Sequence, residues 1–263
     1  MTAFRTMTAM SLASADPAAA GAPSDGTSIS DHARPADAML RRGFGPRVRR
    51  LHARIGKAHH KAEGMVFSRA LLEGRAEPLQ LAALLRALRP GYGVLEELTP
   101  RLAAELGAGP LPWESLRRCP ALDHDLALMA DVPATPPSAA AAVWVEQMRA
   151  LALQAPHRFL AHLYVRYGGD LSGGQQLAVQ ANAILRRAGL PEVSFWVFDR
   201  PIPELKQAFH DAFEAMELSP EQEAELLDEA EAAFRATQAL LAELETIAPA
   251  GTGAAEAATA DGA

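Results

Sequence analysis

The chain has 263 residues, 49% of them hydrophobic, and a formal charge of −7 at pH 7. That is enough apolar material for a real core, and the acidic balance argues against general nucleic-acid binding. No apolar run approaches the roughly 18 residues needed to span a bilayer. Cys119 is the single cysteine, so there is neither a disulfide framework nor a thiolate metal cage, which points to a reducing, cytoplasmic compartment. The early apolar stretch is broken by Thr6, Thr8 and Ser11 and does not read as a signal peptide.

Residues 1–37 are rich in Ala, Ser, Pro, Asp and Gly without periodicity, and so are residues 249–263; both read as disordered tails. Between them, 38–248 reads as one all-α domain. From Arg41 to Lys61 eight basic residues occur with no acid among them: either a solvated helix face or a docking patch for an acidic partner. Thr99 and Pro100 are placed to open a helix as N-cap and N1. "PATPPS" at 133–138 is a strong break. "VSFWVF" at 193–198 is either a short strand or aromatic filling between helices. Leu205, Ala208, Phe209, Ala212, Phe213 and Met216 form one apolar helical stripe. Ser219, Pro220 and Gln222 make a capping box at the start of the last helix.

The run "RYGGDLSGGQQL", Arg166 to Leu177, is anomalous. Gly168, Gly169, Gly173 and Gly174 sit within a helical pattern, where each costs about 0.5–1 kcal/mol relative to alanine. They mark a phosphate loop, a plain loop, or a helix kinked so that bare backbone can touch something flat. "LSGGQ" is also a signature of transporter ATPases, but such an ATPase needs G-x-x-x-x-G-K-[ST], which this chain lacks. Apolar residues continue in helical spacing on both sides, which favours a kinked helix over a loop. Upstream, "KAHHKAEGMVF" places Glu63 four residues after His59, the spacing at which a carboxylate can accept the imidazole's second N–H and make it a better metal ligand. His60 has Gly64 at that spacing.

Taken together, His59, Ala62 and Glu63, followed much later by "LAHLYVRYGGDLSGGQQL", resemble the biliverdin-forming haem oxygenases of bacterial type. The resemblance runs from about Arg50 to Ile247. It implies a single all-α bundle holding haem between a proximal helix and a glycine-kinked distal helix. It implies that haem is both cofactor and substrate, opened with O₂ and electrons to biliverdin, CO and ferrous iron. His59 then corresponds to the axial iron ligand, with Glu63 holding its far nitrogen. Gly169 and Gly173 correspond to backbone contacts on the distal haem face, and Asp170 to the carboxylate that orders water for proton delivery. Tyr164 and Lys206 correspond to propionate contacts. Two departures stand out: His52 and His210 occupy positions where the family has Lys and Arg. If they serve the propionates, haem affinity is expected to weaken as pH rises through roughly 6.5 to 8.

The resemblance also implies an electron donor, a ferredoxin or an NAD(P)H-dependent reductase, and a bacteriophytochrome as one candidate acceptor of biliverdin. A haem carrier or sensor on the same fold is the alternative; it would keep His59 and have no need of Asp170.

Overall fold

The computed structural model describes residues 44–247, all within one compact unit. The two expected tails, with Arg41 and Arg42, lie outside the described residues. Ten helical segments follow one another, with no strand among the described residues: α1 (Pro46–Glu63), α2 (Val66–Leu72), α3 (Pro78–Glu105), α4 (Trp113–Leu116), α5 (Cys119–Leu128), α6 (Ala139–Gln154), α7 (Pro156–Asp170), α8 (Gly174–Arg187), α9 (Ile202–Glu214) and α10 (Pro220–Glu245). The fold is the all-α architecture expected from the helical periodicities.

Helix α10 is the spine. It starts at a reciprocal capping box between Ser219 and Gln222 and packs extensively against both α7 and α1, which make little direct contact with each other. Polar ties fix both walls to it. On the α1 side, Glu223 accepts from Arg47 at 2.8 Å and from Arg50 at 2.9 Å, and Gln238 donates to the Ala58 carbonyl at 3.0 Å. On the α7 side, the buried Glu229 accepts from Arg158 at 2.9 Å and His162 at 3.0 Å. Trp144 donates its indole N–H to Nδ1 of His162 at 3.1 Å, which leaves the proton on Nε2, facing Glu229. A buried carboxylate is tolerated only when paired in this way. The gap between α1 and α7 is therefore held open by a shared neighbour.

The N-terminus of α1 has no acid in its first turn. Glu214, at the end of α9, supplies one by accepting from the backbone N–H of Val48 at 2.7 Å and of Arg47 at 3.2 Å, which also favours the helix dipole. The apolar stripe read from sequence packs α9 into the core through Leu205, Phe209, Ala212 and Phe213.

Thr99 and Pro100 open no helix: α3 runs unbroken through Pro90 and Pro100, and Thr99 is fully buried with its hydroxyl unpartnered. Proline removes a backbone donor but leaves the rest of the turn intact, and α3 is buried along most of its length, so packing outweighs the local stop signal. The segment 193–198 is aromatic filling, as one of its two readings had it. Phe195 and Trp196 are buried. Asp125 accepts from the backbone N–H groups of Ser194 and Phe195, while Arg118 donates to the carbonyls of Phe195 and Val197.

Candidate functional site

Between α1 and α7 lies a cleft of about 250 Å³. Successive turns of α1 present His52, Gly56 and His59 to it; α7 presents Tyr164, Gly168 and Gly169; Phe234 of α10 and His210 of α9 also line it. The α1 residues recur at i, i+4 and i+7, one face of a helix. His59 is half exposed, and its ring meets the edge of Phe234 at 5.8 Å between centroids.

The glycine run is explained by space. The described glycines with positive φ are Gly74, Gly107 and Gly189, so no member of the run is required by a left-handed backbone. Helix α7 ends at Asp170, a turn follows, and α8 starts at Gly174. A Cβ on Gly169 would meet nothing within 4 Å and would project into the cleft, as would one on Gly56 across the gap. At Gly173 the nearest atom to such a Cβ is the Gly169 carbonyl oxygen, at 3.9 Å. Gly174 has a different reason: its Cβ would lie 2.8 Å from Cδ1 of Trp196, so it permits α8 to pack on the aromatic loop. The run combines a bare wall with one packing contact.

Asp170 follows Gly169 but turns away into the interior, 4% exposed, where it accepts a short hydrogen bond from the Tyr92 hydroxyl. Burial pushes its carboxyl above the ordinary aspartate range, against the opposing pull of Arg166, the Tyr92 hydrogen bond and Arg118. Arg166 also donates to the Tyr92 hydroxyl at 3.4 Å, with its Nε buried and unpartnered. Tyr92 and Arg166 were not singled out in the sequence. Tyr92 is 78 positions from Asp170, and no local pattern announces that contact.

The four residues with an expected propionate role are gathered at one edge of the cleft, three of them around a ring that the sequence did not flag. Phe44 stacks on His52 with centroids 5.3 Å apart and meets His210 edge-on at 5.0 Å, with Nζ of Lys206 6.0 Å from its centroid. Tyr164 lies 6.4 Å from His210, ring to ring. Burial, then the charges of Lys206 and His52, depress His210 to about 4, with Asp211 pulling the other way. His52 is lowered too, by burial and then by Lys206 and His59. Both imidazoles therefore start below the ordinary histidine value on which the window of roughly pH 6.5 to 8 was based.

Two further expectations change. Glu63 does not distinguish the adjacent histidines: its Oε2 lies 3.5 Å from Nδ1 of His59 and 3.5 Å from Nδ1 of His60, because i+3 and i+4 neighbours share one helix face. Both line the cleft, and what separates them is exposure, with 47% of the His59 side chain open against 81% for His60. The basic run is partly neutralised by α10. Arg47 and Arg50 pair with Glu223, and Arg54 with Asp228 at 2.7 Å and Glu231 at 3.1 Å. Arg49, Lys57 and Lys61 remain exposed, with no acidic partner among the described residues.

Comparison with known proteins fits this geometry. The family model described as heme oxygenase matches residues 48–243. A heme oxygenase of Rhodella violacea is 26% identical over 195 residues, covering 72% of this chain and 83% of that protein. Heme oxygenase 1 of Rattus norvegicus is 29% identical over 202 residues, covering 73% of this chain and 68% of its own length. Among solved structures, heme oxygenase from Leptospira interrogans superposes with a TM-score of 0.67 at 28% identity, over 76% of this chain and all of its own. Heme oxygenase-1 from the cyanobacterium Synechocystis sp., solved in complex with heme, gives 0.66 at 26% identity, over 76% of this chain and 93% of that one. The matched segment spans α1 to α10, with both walls of the cleft, and the chain belongs to the heme oxygenase family.

Proposed function

We propose that the protein is a haem oxygenase whose α1–α7 cleft binds haem and opens it to biliverdin, CO and ferrous iron. The observation that carries this is the pairing of a half-exposed imidazole, His59, with a facing wall of bare backbone at Gly169. A flat macrocycle needs both: an open nitrogen donor on one side and no Cβ on the other. Bound there, haem supplies the iron that takes up O₂ and electrons, together with the ring that is opened.

This chain's residues divide the remaining work. His59 offers Nε2 to iron, since Nδ1 faces Glu63. Gly169 and Gly173 let the distal backbone approach. Asp170, held by Tyr92, positions protons and water near Gly169 without itself lining the cleft; a carrier would have no use for that buried carboxylate. His52, His210, Lys206 and Tyr164 hold the propionates and so set the rotation of the ring in its plane. Arg49, Lys57 and Lys61 offer positive charge to an acidic electron donor, a ferredoxin or an NAD(P)H-dependent reductase; a bacteriophytochrome is a candidate acceptor for biliverdin. No helix among the described residues is long and apolar enough to cross a membrane. With Cys119 buried and its thiol pushed up to about 12, chiefly by burial, a reducing cytoplasm suits the chain. Haemin added with a reductant under air tests the function. Loss of haem absorbance with biliverdin and CO formed supports it, and a stable complex that never turns over contradicts it.

A pH dependence follows from the imidazoles. A propionate beside His210 raises its pKa from about 4, so haem binding takes up a proton and tightens as pH falls toward that value. The window thus lies below about pH 6.5. His210→Arg stays charged throughout. The ratio of its haemin affinity to that of the wild type is expected to grow as pH rises from about 4 to about 6.5 and to level off above that. A constant ratio in haemin titrations would release His210 from the propionate.

A further inference from the structure

His60 is left over by the haem reading, yet it is one of three side chains that converge. Donor atoms of His59, His60 and Glu63 all lie within 4.8 Å of one another, the only such group of three among the described residues. Each imidazole Nδ1 is 3.5 Å from the same carboxylate oxygen of Glu63. Two donors at that spacing are close enough to be bridged by one ion about 2.1 Å from each. The remaining gap, between the two histidines, closes by small rotations of exposed side chains. Two imidazoles and one carboxylate form the donor set that suits Fe²⁺ with coordination positions left for water. The cluster sits at the mouth of the cleft, which His60 also lines while remaining largely exposed.

We propose that His59, His60 and Glu63 form a binding site for a divalent first-row transition ion, Fe²⁺ in the enzyme's own reaction, available only when haem is absent from the cleft. The proposal rests on the reading of His59 as the haem ligand. With haem bound, Nε2 of His59 holds the haem iron and its Nδ1–H donates to Glu63. Without haem, the imidazole carries its proton on Nε2, and Nδ1 and the Glu63 oxygen turn to the free ion. Iron released on ring opening then meets Nδ1 of His59 together with the donors of His60 and Glu63. The exchange is of ligands alone, with no change of oxidation state.

Co²⁺ is the probe, titrated into the haem-free full-length protein and followed by its d–d absorbance, with Fe²⁺ added anaerobically as competitor. One Co²⁺ per chain is expected, displaced by Fe²⁺ and by stoichiometric haemin. His60→Ala and Glu63→Gln should each weaken Co²⁺ binding by at least the ~10-fold typical of disturbing a metal site. His60→Ala should leave the histidine-ligated haem spectrum intact, since the side chain is 81% exposed and its removal leaves the fold intact. Co²⁺ affinity indifferent to His60→Ala overturns the site. Undiminished Co²⁺ affinity in the haemin-loaded protein overturns its dependence on an empty cleft. Loss of histidine-ligated haem in His60→Ala would instead overturn His59 as the haem ligand, a result read from the haem spectrum and separate from the Co²⁺ comparison.

Discussion

Replacing His59 by alanine is expected to abolish the histidine-ligated haem spectrum and weaken haemin binding by ~10-fold or more, equivalent to at least about 1.4 kcal/mol. The residue lies on the α1 face that also carries His52 and Gly56 and looks across the cleft at Gly169. His60, one residue on, is turned by about 100° around the helix and is 81% exposed at its side chain. Removing a half-exposed imidazole leaves no core cavity, so the melting temperature should hold. Added imidazole should restore ligation by entering the space vacated. The same titration with His60→Ala should reproduce the wild-type spectrum. If His60→Ala loses ligation instead, the register on α1 is wrong.

Asp170→Asn is expected to bind haem with unchanged ligation yet to lose biliverdin formation by about 10²-fold, the lower end for removal of a proton-delivering group. On the proposed reading the buried carboxylate, held by Tyr92, acts at a distance from the cleft, so its effect is expected on turnover and not on affinity. A readout indifferent to packing is the pH profile of turnover, which shifts only if the carboxyl at 170 belongs to the proton path. Stability should move the other way. Burial raises the folded-state pKa of Asp170 from 3.8, so its favourable contribution to folding is complete below the unfolded value and is lost as pH rises through the folded one. Asparagine escapes that loss. The melting temperature of the variant relative to wild type should therefore improve from about pH 4 to pH 7. Wild-type turnover by Asp170→Asn would remove the carboxylate from the mechanism.

What could be read from the sequence was encoded within a turn or two of itself. The α9 stripe and the Ser219 to Gln222 capping box are both local signals, and the structure has each where the sequence puts it. The glycine run was legible as an anomaly of composition, although it took coordinates to separate Gly169, facing open space, from Gly174, facing Trp196. The illegible features pair residues far apart in the chain. Tyr92 reaches Asp170, Phe44 enters between His52 and His210, and the acids of α10 neutralise half of the basic run on α1. Pro100 misled for a related reason. A proline inside a helix costs about 3 kcal/mol, and the burial of α3 from Leu81 to Ala103 outweighs it, so the helix start read at Thr99 and Pro100 lies inside a continuous helix.

If haem lies against bare backbone at Gly169, a side chain there should displace it, and Gly169→Leu supplies one. The residue has no positive φ and a Cβ there meets no atom within 4 Å. Leucine is also the better helix former by about 0.5–1 kcal/mol. Thermal melting and haemin titration of one preparation give both readouts. The expected result is a melting temperature equal to or above that of the wild type, together with haemin affinity reduced by at least ~10-fold, or 1.4 kcal/mol. A variant that keeps its fold and binds haemin as tightly as the wild type would contradict the account, because the macrocycle would then have to lie somewhere other than between α1 and the glycine wall of α7.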